Sequence, residues 1–206
     1  MDKREELRQK ALRDLQHSQV LMLDGHFDYG NGYHGRSYLN PHQLLRQPST
    51  IWRVAQDLLD LIPNELLQRV EVVAGPATGG ALLAHTIAGL LDSRRSLSHA
   101  PCLFAPFHVD AHGEVSLREF YRAELTGKQI LLVDDVRNTG ATMARCAALI
   151  ADAGAVLVAT AEIYDRMEAV RTLAVPNIAL AEYQAAENSP AGECPLCTAG
   201  EPITRF

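Results

Sequence analysis

The chain has 206 residues, of which 47% are hydrophobic and 21% are charged, as is usual for a globular protein. A net charge of −6 at pH 7 argues against a surface for nucleic acid or for an anionic membrane. No apolar run has the length of a membrane-spanning helix, and the charged N-terminus lacks a signal-peptide pattern. Four cysteines are too few for a disulfide framework. We expect one cytoplasmic domain over residues 1–206, without nucleic-acid or membrane partners.

The N-terminal part predicts a helix and then a segment rich in turns. Leu7 to Leu15 has the spacing of an amphipathic helix. From Gly25 to Leu39, glycines and aromatic residues lie close together, which predicts short strands joined by tight turns.

A long helix and a first strand–turn–helix unit follow. Pro48 to Leu61 repeats apolar residues at helical spacing. Val70 to Ala74 predicts a strand, residues 75–80 a glycine-rich turn, and Ala81 to Leu91 an apolar helix. The N–H groups of such a turn, with the helix N-terminus behind it, suit an anion. The same pattern also occurs in turns that bind nothing.

The most informative stretch runs from Ile130 to Thr142. Ile130 to Val133 is a continuous apolar run, typical of a strand buried on both faces of a parallel sheet. It leads into two adjacent carboxylates, Asp134 and Asp135, then a polar turn and a helical pattern that ends at Gly154. This order places the turn at the carboxyl end of a strand, where open α/β sheets bind ligands.

The residue types of this stretch predict a phosphate beside a sugar. Inward-facing N–H groups and the helix dipole would hold a phosphate at residues 138–142. Asp134 and Asp135 would repel a phosphate, but they suit two neighbouring hydroxyls or Mg²⁺. A phosphate next to a vicinal diol describes a ribose 5-phosphate. No Gly-Lys-Ser/Thr sequence is present, so this is not a Walker A loop.

The rest of the chain offers weaker signals. Pro101 to Phe107 and Val156 to Ile163 predict strands, the second of which ends at Arg166, and Ile178 to Tyr183 predicts a last strand. The C-terminal Cys194-Pro-Leu-Cys197 is half of a tetrahedral zinc site or a terminal turn without metal. If metal binds there, a dimer mate could supply the missing ligands.

Residues 133–142 resemble the phosphoribosyl-pyrophosphate (PRPP) signature of the type I phosphoribosyltransferases. Residues 75–80 are similar to the pyrophosphate loop of that family. Residues 25–39 and the pair Asp165-Arg166 resemble the hood and the base-binding arginine of its orotate-specific members. The resemblance covers Gly25 to Gly200. It implies an α/β fold: a central parallel sheet flanked by helices (residues 48–185), a small N-terminal hood (1–47) and a C-terminal tail (186–206).

The resemblance also implies an activity and a site. The activity is transfer of the 5-phosphoribosyl group of PRPP to a nucleobase nitrogen with release of pyrophosphate, here orotate to orotidine 5'-monophosphate, with Mg²⁺ and a homodimer. In this family the acid pair is catalytic and the arginine binds the base. The implied site residues are Asp134 and Asp135 for the ribose hydroxyls, Asn138, Thr139, Gly140, Ala141 and Thr142 for the 5-phosphate, Pro76, Ala77, Thr78 and Gly79 for pyrophosphate, Arg166 for the base, and His112, Arg118 and Arg122 in a mobile loop.

Two alternatives stay open because this chain departs from the family pattern. Family members often carry a lysine where this chain has Gly79, orotate enzymes carry one at the position that matches Gly30, and the mobile loop also lacks its lysine. The alternatives are a PRPP-binding regulator without turnover, and a phosphoribosyltransferase for another base. For His112, Arg118 and Arg122, an ordinary solvated loop is an equal possibility.

Overall fold

A computed structural model describes residues 3–30, 32–95, 99–167, 173–183 and 188–206. The predicted boundary between core and tail, at residues 185 and 186, lies outside these ranges. The helices are α1 (Lys3–His17), α2 (Pro41–Leu45), α3 (Pro48–Leu61), α4 (Asn64–Leu67), α5 (Gly79–Arg94), α6 (Glu119–Arg122), α7 (Ala141–Asp152) and α8 (Pro195–Thr198). The strands are β1 (Leu21–Met22), β2 (Phe27–Asp28), β3 (Tyr33–Gly35), β4 (Tyr38–Leu39), β5 (Val72–Pro76), β6 (Leu103–Val109), β7 (Val115–Ser116), β8 (Gln129–Arg137), β9 (Val156–Asp165), β10 (Asn177–Glu182) and β11 (Ser189–Pro190).

The central sheet has six strands in the order β10-β9-β8-β5-β6-β7. The first five pair in parallel, and the short edge strand β7 runs antiparallel to β6. The predicted parallel sheet is confirmed, and the antiparallel edge comes from the stretch that the sequence left irregular. Because β5 and β8 are neighbours, the two predicted strand–turn–helix units end side by side.

The two faces of this sheet bury two different apolar clusters, because alternate residues of each strand point to opposite faces. Val73 and Leu131 belong to the cluster that packs against α1, α3 and α5. Val72 and Ile130 belong to the cluster that packs against α7. Helices therefore cover both faces, which explains the uninterrupted apolar run of β8.

The N-terminal hood and the C-terminal tail form one small unit above the sheet. Strand β11 of the tail pairs with β3, which pairs in turn with β2, while β1 pairs with β4. Further along the tail, Thr204 donates its N–H to the carbonyl of His26, and the N–H of Asp28 donates to the carbonyl of Thr204. The ring of Phe206 stacks on Tyr38 with centroids 4.4 Å apart. The sequence predicted short strands in the hood but not this pairing with the tail.

The main difference from the predicted elements concerns the acid pair. The strand does not stop at Asp134 but continues to Arg137, since β9 pairs with β8 as far as Asp165. The prediction for α3 matches its observed bounds, Pro48–Leu61. Among the described residues, no helix combines the length and the apolar character needed to cross a membrane.

Candidate active site

The acid pair lies in the last part of β8, near the carboxyl-terminal edge of the sheet. Asp134 is only 9% exposed. Its Oδ1 accepts the N–H of Asp135 at 2.9 Å, and Oδ1 of Asp135 accepts the N–H of Val136 at 2.8 Å. Within the described residues, no cationic side chain forms an ion pair with either carboxylate. The pair is therefore suited to hydroxyl donors or to a divalent cation.

The surroundings of these carboxylates favour their protonated forms. Burial raises the pKa of Asp134 well above its ordinary value, and the charge of Asp135 adds to that effect. Burial also raises the pKa of Asp135. A ligand that brings hydroxyl donors or positive charge would relieve this penalty.

Two glycines let the turn at residues 75–80, which is predicted to bind pyrophosphate, approach the acid pair closely. A Cβ added at Gly79 would lie 1.9 Å from Oδ2 of Asp135, and one at Gly80 would lie 2.8 Å from Oδ1 of Asp134. Gly79 is also the first residue of α5, whose N-terminus therefore faces the carboxylates. The peptide between Ala77 and Thr78 is cis, and the N–H of Ala77 donates to the carbonyl of Phe107 at 2.8 Å.

The predicted 5-phosphate loop connects β8 to α7. Gly140 has φ +69°, a left-handed conformation that glycine adopts without steric cost, and α7 begins at the next residue. In the described chain, the N–H groups of Asn138, Thr139 and Gly140 donate to no protein acceptor. The first N–H groups of a helix also lack intrahelical partners. Unpaired amides and the positive end of the helix dipole thus converge where an anion would bind.

A cavity of about 210 Å³ lies between the hood and the end of the sheet. Its lining residues are Tyr29, Ser37, Tyr38, Leu39, Val136, Asn138, Tyr164 and Arg166. Of these residues, Val136 directly follows the acid pair in β8, and Asn138 belongs to the predicted phosphate loop. The cavity is large enough for one planar heterocycle.

Arg166 is held in this cavity from three directions. Its guanidinium lies 5.0 Å from the centre of the Tyr29 ring, Nη1 donates to Oδ1 of Asn138 at 3.4 Å, and Nη2 donates to Oδ1 of Asn188. The side chain is 7% exposed. Tyr29 also donates its hydroxyl to the carbonyl of Ser37 at 2.8 Å. These contacts fix the cation in one place, which makes it suitable for recognising an anionic planar ligand.

The hydroxyl of Ser37 provides a second polar group in the cavity. Ser37 is 1% exposed, and its Oγ has no hydrogen-bond partner within the described structure. Because a buried hydroxyl without a partner is costly, this oxygen is suited to bind a polar group of a ligand. Tyr164 also lines the cavity, and burial raises its pKa to about 12, so it stays protonated.

The predicted mobile-loop residues do not gather at the acid pair. His112 is at the exposed tip of the β6–β7 hairpin, which leaves the sheet at the same edge as the turn at residues 75–80. Gly113 in this tip accepts a hydrogen bond from Arg145 Nη1 at 2.5 Å. Arg118 is exposed at the start of α6. Arg122 donates to the carbonyl of Asp152, at the opposite end of α7 from the phosphate loop.

A buried polar group next to the site was not predicted. Glu162 in β9 stands beside Asp134 in the sheet register and is fully buried. It accepts a hydrogen bond from Nδ2 of Asn177 at 2.6 Å, and Arg137 pairs with Asp165 at 3.2 Å. Burial raises the pKa of Glu162 to about 8. In the sequence Glu162 is the one charged residue within the predicted strand Val156 to Ile163, and that charge was the available signal.

The residues around Arg166 were missed for a different reason. Tyr29, Ser37 and Tyr38 lie in the hood, and Asn188 lies in the tail. Their closeness to Arg166 depends on how hood and tail fold over the sheet. A larger cavity of about 640 Å³ lies between α1 and α3. Its lining includes neither the acid pair nor residues 75–80 or 138–142. We therefore do not assign the active site to this cavity, although it is larger.

The family model of the "Phosphoribosyl transferase domain" matches residues 43–173. Two similar curated proteins are named orotate phosphoribosyltransferase. The one from Erythrobacter litoralis is 30% identical over 200 residues, covering 96% of this chain and 95% of the relative. The one from Desulforamulus reducens is 29% identical over 184 residues, covering 89% of this chain and 88% of the relative.

Solved structures share the same fold. The orotate phosphoribosyltransferase of Aeropyrum pernix superposes with a TM-score of 0.64 at 23% identity, covering 82% of this chain and 92% of that one. The adenine phosphoribosyl transferase of Trypanosoma brucei, in complex with AMP, pyrophosphate and ribose-5-phosphate, superposes with a TM-score of 0.60 at 19% identity. The match covers 88% of this chain and 82% of that one. At these identities the structures establish the fold and leave the base open.

Proposed function

Since the chain belongs to the phosphoribosyltransferase family, we propose that it transfers the 5-phosphoribosyl group of PRPP to a ring nitrogen of orotate. The bond from C1 of the ribose to a pyrophosphate oxygen breaks, and a bond from C1 to the nitrogen forms. Pyrophosphate leaves with the bonding electrons, and the nitrogen loses its proton. The product of this transfer is orotidine 5'-monophosphate, a pyrimidine nucleotide.

The observation that carries this proposal is the position of Arg166. Its guanidinium lines the cavity between hood and sheet, beside the acid pair and the phosphate loop. Orotate differs from the other common nucleobases by a carboxylate, and a guanidinium binds a planar carboxylate with two parallel hydrogen bonds. Ser37 Oγ and the Tyr29 ring offer a hydrogen-bonding group and a flat wall to the same ligand.

The acid pair would act on the ribose. As pyrophosphate departs, positive charge develops on C1 and the ring oxygen. Asp134 and Asp135 would accept hydrogen bonds from the two ribose hydroxyls, and their charge would stabilise the ring as it becomes cationic. Their burial strengthens this electrostatic effect. No covalent intermediate is needed, because orientation and electrostatics can supply the catalysis.

Two helix N-termini would hold the two ends of PRPP. Asn138, Thr139, Gly140, Ala141 and Thr142 would bind the 5-phosphate through backbone amides. Pro76, Ala77, Thr78 and Gly79 would bind pyrophosphate at the start of α5. Mg²⁺ fits the carboxylates of the acid pair and, when bound with PRPP, would neutralise charge on the leaving group. A homodimer and a cytoplasmic location are further parts of this proposal, which rest on the family resemblance.

A panel of bases tests the proposal. Purified protein would be given PRPP, Mg²⁺ and one base at a time, namely orotate, uracil, adenine, guanine or xanthine, while pyrophosphate release is followed. We expect orotate to give the highest kcat/KM. A purine that reacts faster would favour the alternative of another acceptor base. PRPP binding without turnover of any base would favour the regulator.

A further inference from the structure

The C-terminal pair of cysteines meets two histidines of the hood. Cys194 and Cys197 stand one helical turn apart at the start of α8. His26 precedes β2, and His34 lies in β3, which pairs with β2. One ligand atom from each of the four side chains lies within 4.8 Å of all the others. This group, called the Cys₂His₂ cluster below, brings together residues up to 171 positions apart.

Four of the six ligand–ligand distances in the Cys₂His₂ cluster are close to those around a tetrahedral zinc ion. Zinc bonds of about 2.0–2.1 Å to nitrogen and about 2.3 Å to sulfur place two nitrogen ligands about 3.3 Å apart, and a nitrogen and a sulfur about 3.6 Å apart. Nε2 of His26 lies 3.3 Å from Nδ1 of His34 and 3.5 Å from Sγ of Cys194. Sγ of Cys197 lies 3.4 Å from Nδ1 of His34 and 3.7 Å from Nε2 of His26.

The outer nitrogens of the two histidines have acceptors of their own. Nδ1 of His26 lies 3.0 Å from the carbonyl oxygen of Glu201. A carbonyl can only accept, so this Nδ1 carries the proton and Nε2 presents a lone pair to the cluster. Nε2 of His34 faces Oδ1 of Asp28 at 3.9 Å, which favours a proton there and a lone pair on Nδ1. Two lone pairs 3.3 Å apart repel each other unless a cation lies between them, and metal-bound histidines have acceptors of this kind on the outer nitrogen.

We propose that His26, His34, Cys194 and Cys197 bind one Zn²⁺ as a closed structural site. Two thiolates and two neutral imidazoles are a usual ligand set for structural zinc. Three of the four side chains, His26, His34 and Cys194, are buried. A single chain therefore supplies all four ligands of a structural ion, whereas the sequence predicted only the two cysteines. This metal is separate from the Mg²⁺ proposed at the acid pair.

The zinc would hold the hood closed over the cavity. Its histidines lie directly before β2 and in β3, on either side of Tyr29 in the chain, and its cysteines belong to the tail that also carries Asn188. Tyr29 and Asn188 both contact Arg166, and the hydroxyl oxygen of Tyr29 lies 3.2 Å from Oδ1 of Asn188. Loss of zinc should therefore raise KM for orotate more than KM for PRPP. This consequence rests on the proposed function, whereas the metal content does not.

The test starts with the metal content of the whole chain. Protein purified under reducing conditions without chelator should contain about one zinc per chain by mass spectrometry. Cys197→Ser and His34→Ala should lose most of it. Cys102→Ser is the matched control, since Cys102 is a half-buried cysteine outside the cluster, and it should keep the metal. Equal zinc in Cys197→Ser and Cys102→Ser would overturn the proposal.

Two measurements on the unmodified chain keep the test valid if a variant fails to fold. Cys197 is exposed, so its thiol should react readily with an alkylating agent only after a chelator has removed the zinc. Co²⁺ added to the chelated protein should give the strong visible absorption of a tetrahedral thiolate complex. Reduced, folded protein that takes up neither Zn²⁺ nor Co²⁺ would refute the site, as would alkylation of Cys197 at the same rate with and without chelator.

Discussion

The guanidinium of Arg166 lies 5.0 Å from the centre of the Tyr29 ring. Arg166 follows the strand β9 of the central sheet, and Tyr29 belongs to the hood. The contact therefore joins the two parts of the molecule that enclose the proposed base site. Since Asn188 of the tail contacts both side chains, hood, sheet and tail all determine where the base would lie.

The acid pair should be essential for turnover but unfavourable for stability. Asp134→Asn with Asp135→Asn keeps the shape and removes the negative charge, and loss of one such electrostatic group typically costs about 10²–10³ in rate. Folding raises the pKa of both carboxyl groups, so their ionised forms lower the stability of the folded state at neutral pH. The double variant should therefore have a melting temperature no lower than that of the unmodified protein. Initial rates and melting curves check both points, with Asp152→Asn, an exposed residue of α7, as the control. Near-normal turnover in the double variant would remove the pair from the mechanism.

PRPP should stabilise the protein in the presence of Mg²⁺. A ligand at a hundredfold excess over its Kd adds about 2.7 kcal/mol to the unfolding free energy, which corresponds to roughly 5–10 °C for a chain of this size. Differential scanning fluorimetry measures this shift, and the Asn double variant should lose most of it. If PRPP and ribose 5-phosphate both leave the melting temperature unchanged, the site described at residues 134–142 does not bind them.

Gly79 should be required because of the space that Asp135 occupies. Gly79→Ala would place Cβ 1.9 Å from the Asp135 carboxylate, which forces that side chain away from its present rotamer. An off-rotamer side chain costs about 0.5–1.5 kcal/mol, so PRPP should bind up to roughly tenfold more weakly. The control in the same helix is Gly89→Ala, whose Cβ would meet no atom within 4 Å; it should raise stability by about 0.5–1 kcal/mol. Equal PRPP affinity in both variants would show that the close approach is unimportant.

Glu162 should make the protein less stable as the pH rises. Its pKa is raised from 4.5 to about 8 in the folded state, so between these values the folded chain holds a proton that the unfolded chain releases. Stability then falls with increasing pH across this window, by at most about 1.4 kcal/mol per pH unit for one group. Urea unfolding at pH 5 to 8 should show a smaller decline for Glu162→Gln. The exposed Glu124→Gln should behave like the unmodified protein. An unchanged slope in Glu162→Gln would mean that Glu162 is ionised when folded.

The sequence predicted those parts of the site that are continuous in the chain. Asp134, Asp135 and the phosphate loop form one stretch whose order of strand, acids and turn already indicates its chemistry. Arg166 was predicted from the resemblance of Asp165-Arg166 to orotate-specific members of the family, and it directly follows a strand of the same sheet. Parallel strands bring their carboxyl ends to one edge, so these residues had to be neighbours.

The remaining features depend on contacts between distant segments. His26 and Cys194 are 168 positions apart, and they meet because the tail joins the hood through the pairing of β11 with β3 and through the hydrogen bonds of Thr204. Ser37 reaches the cavity, and Asn188 reaches Arg166, in the same way. No local pattern contains this information, since the hood and the tail each consist of very short elements with little periodicity of their own.

The most direct test of the account compares orotate with uracil in the unmodified protein and in Arg166→Ala. Charge-assisted pairs contribute about 1.5–3 kcal/mol, so the variant should lose roughly tenfold to a hundredfold in kcat/KM for orotate. Uracil lacks the carboxylate and should be affected much less, PRPP affinity should hardly change, and the exposed Arg53→Ala should behave like the unmodified protein. An equal loss for both bases, or weaker PRPP binding, would contradict the assignment of Arg166 to the orotate carboxylate.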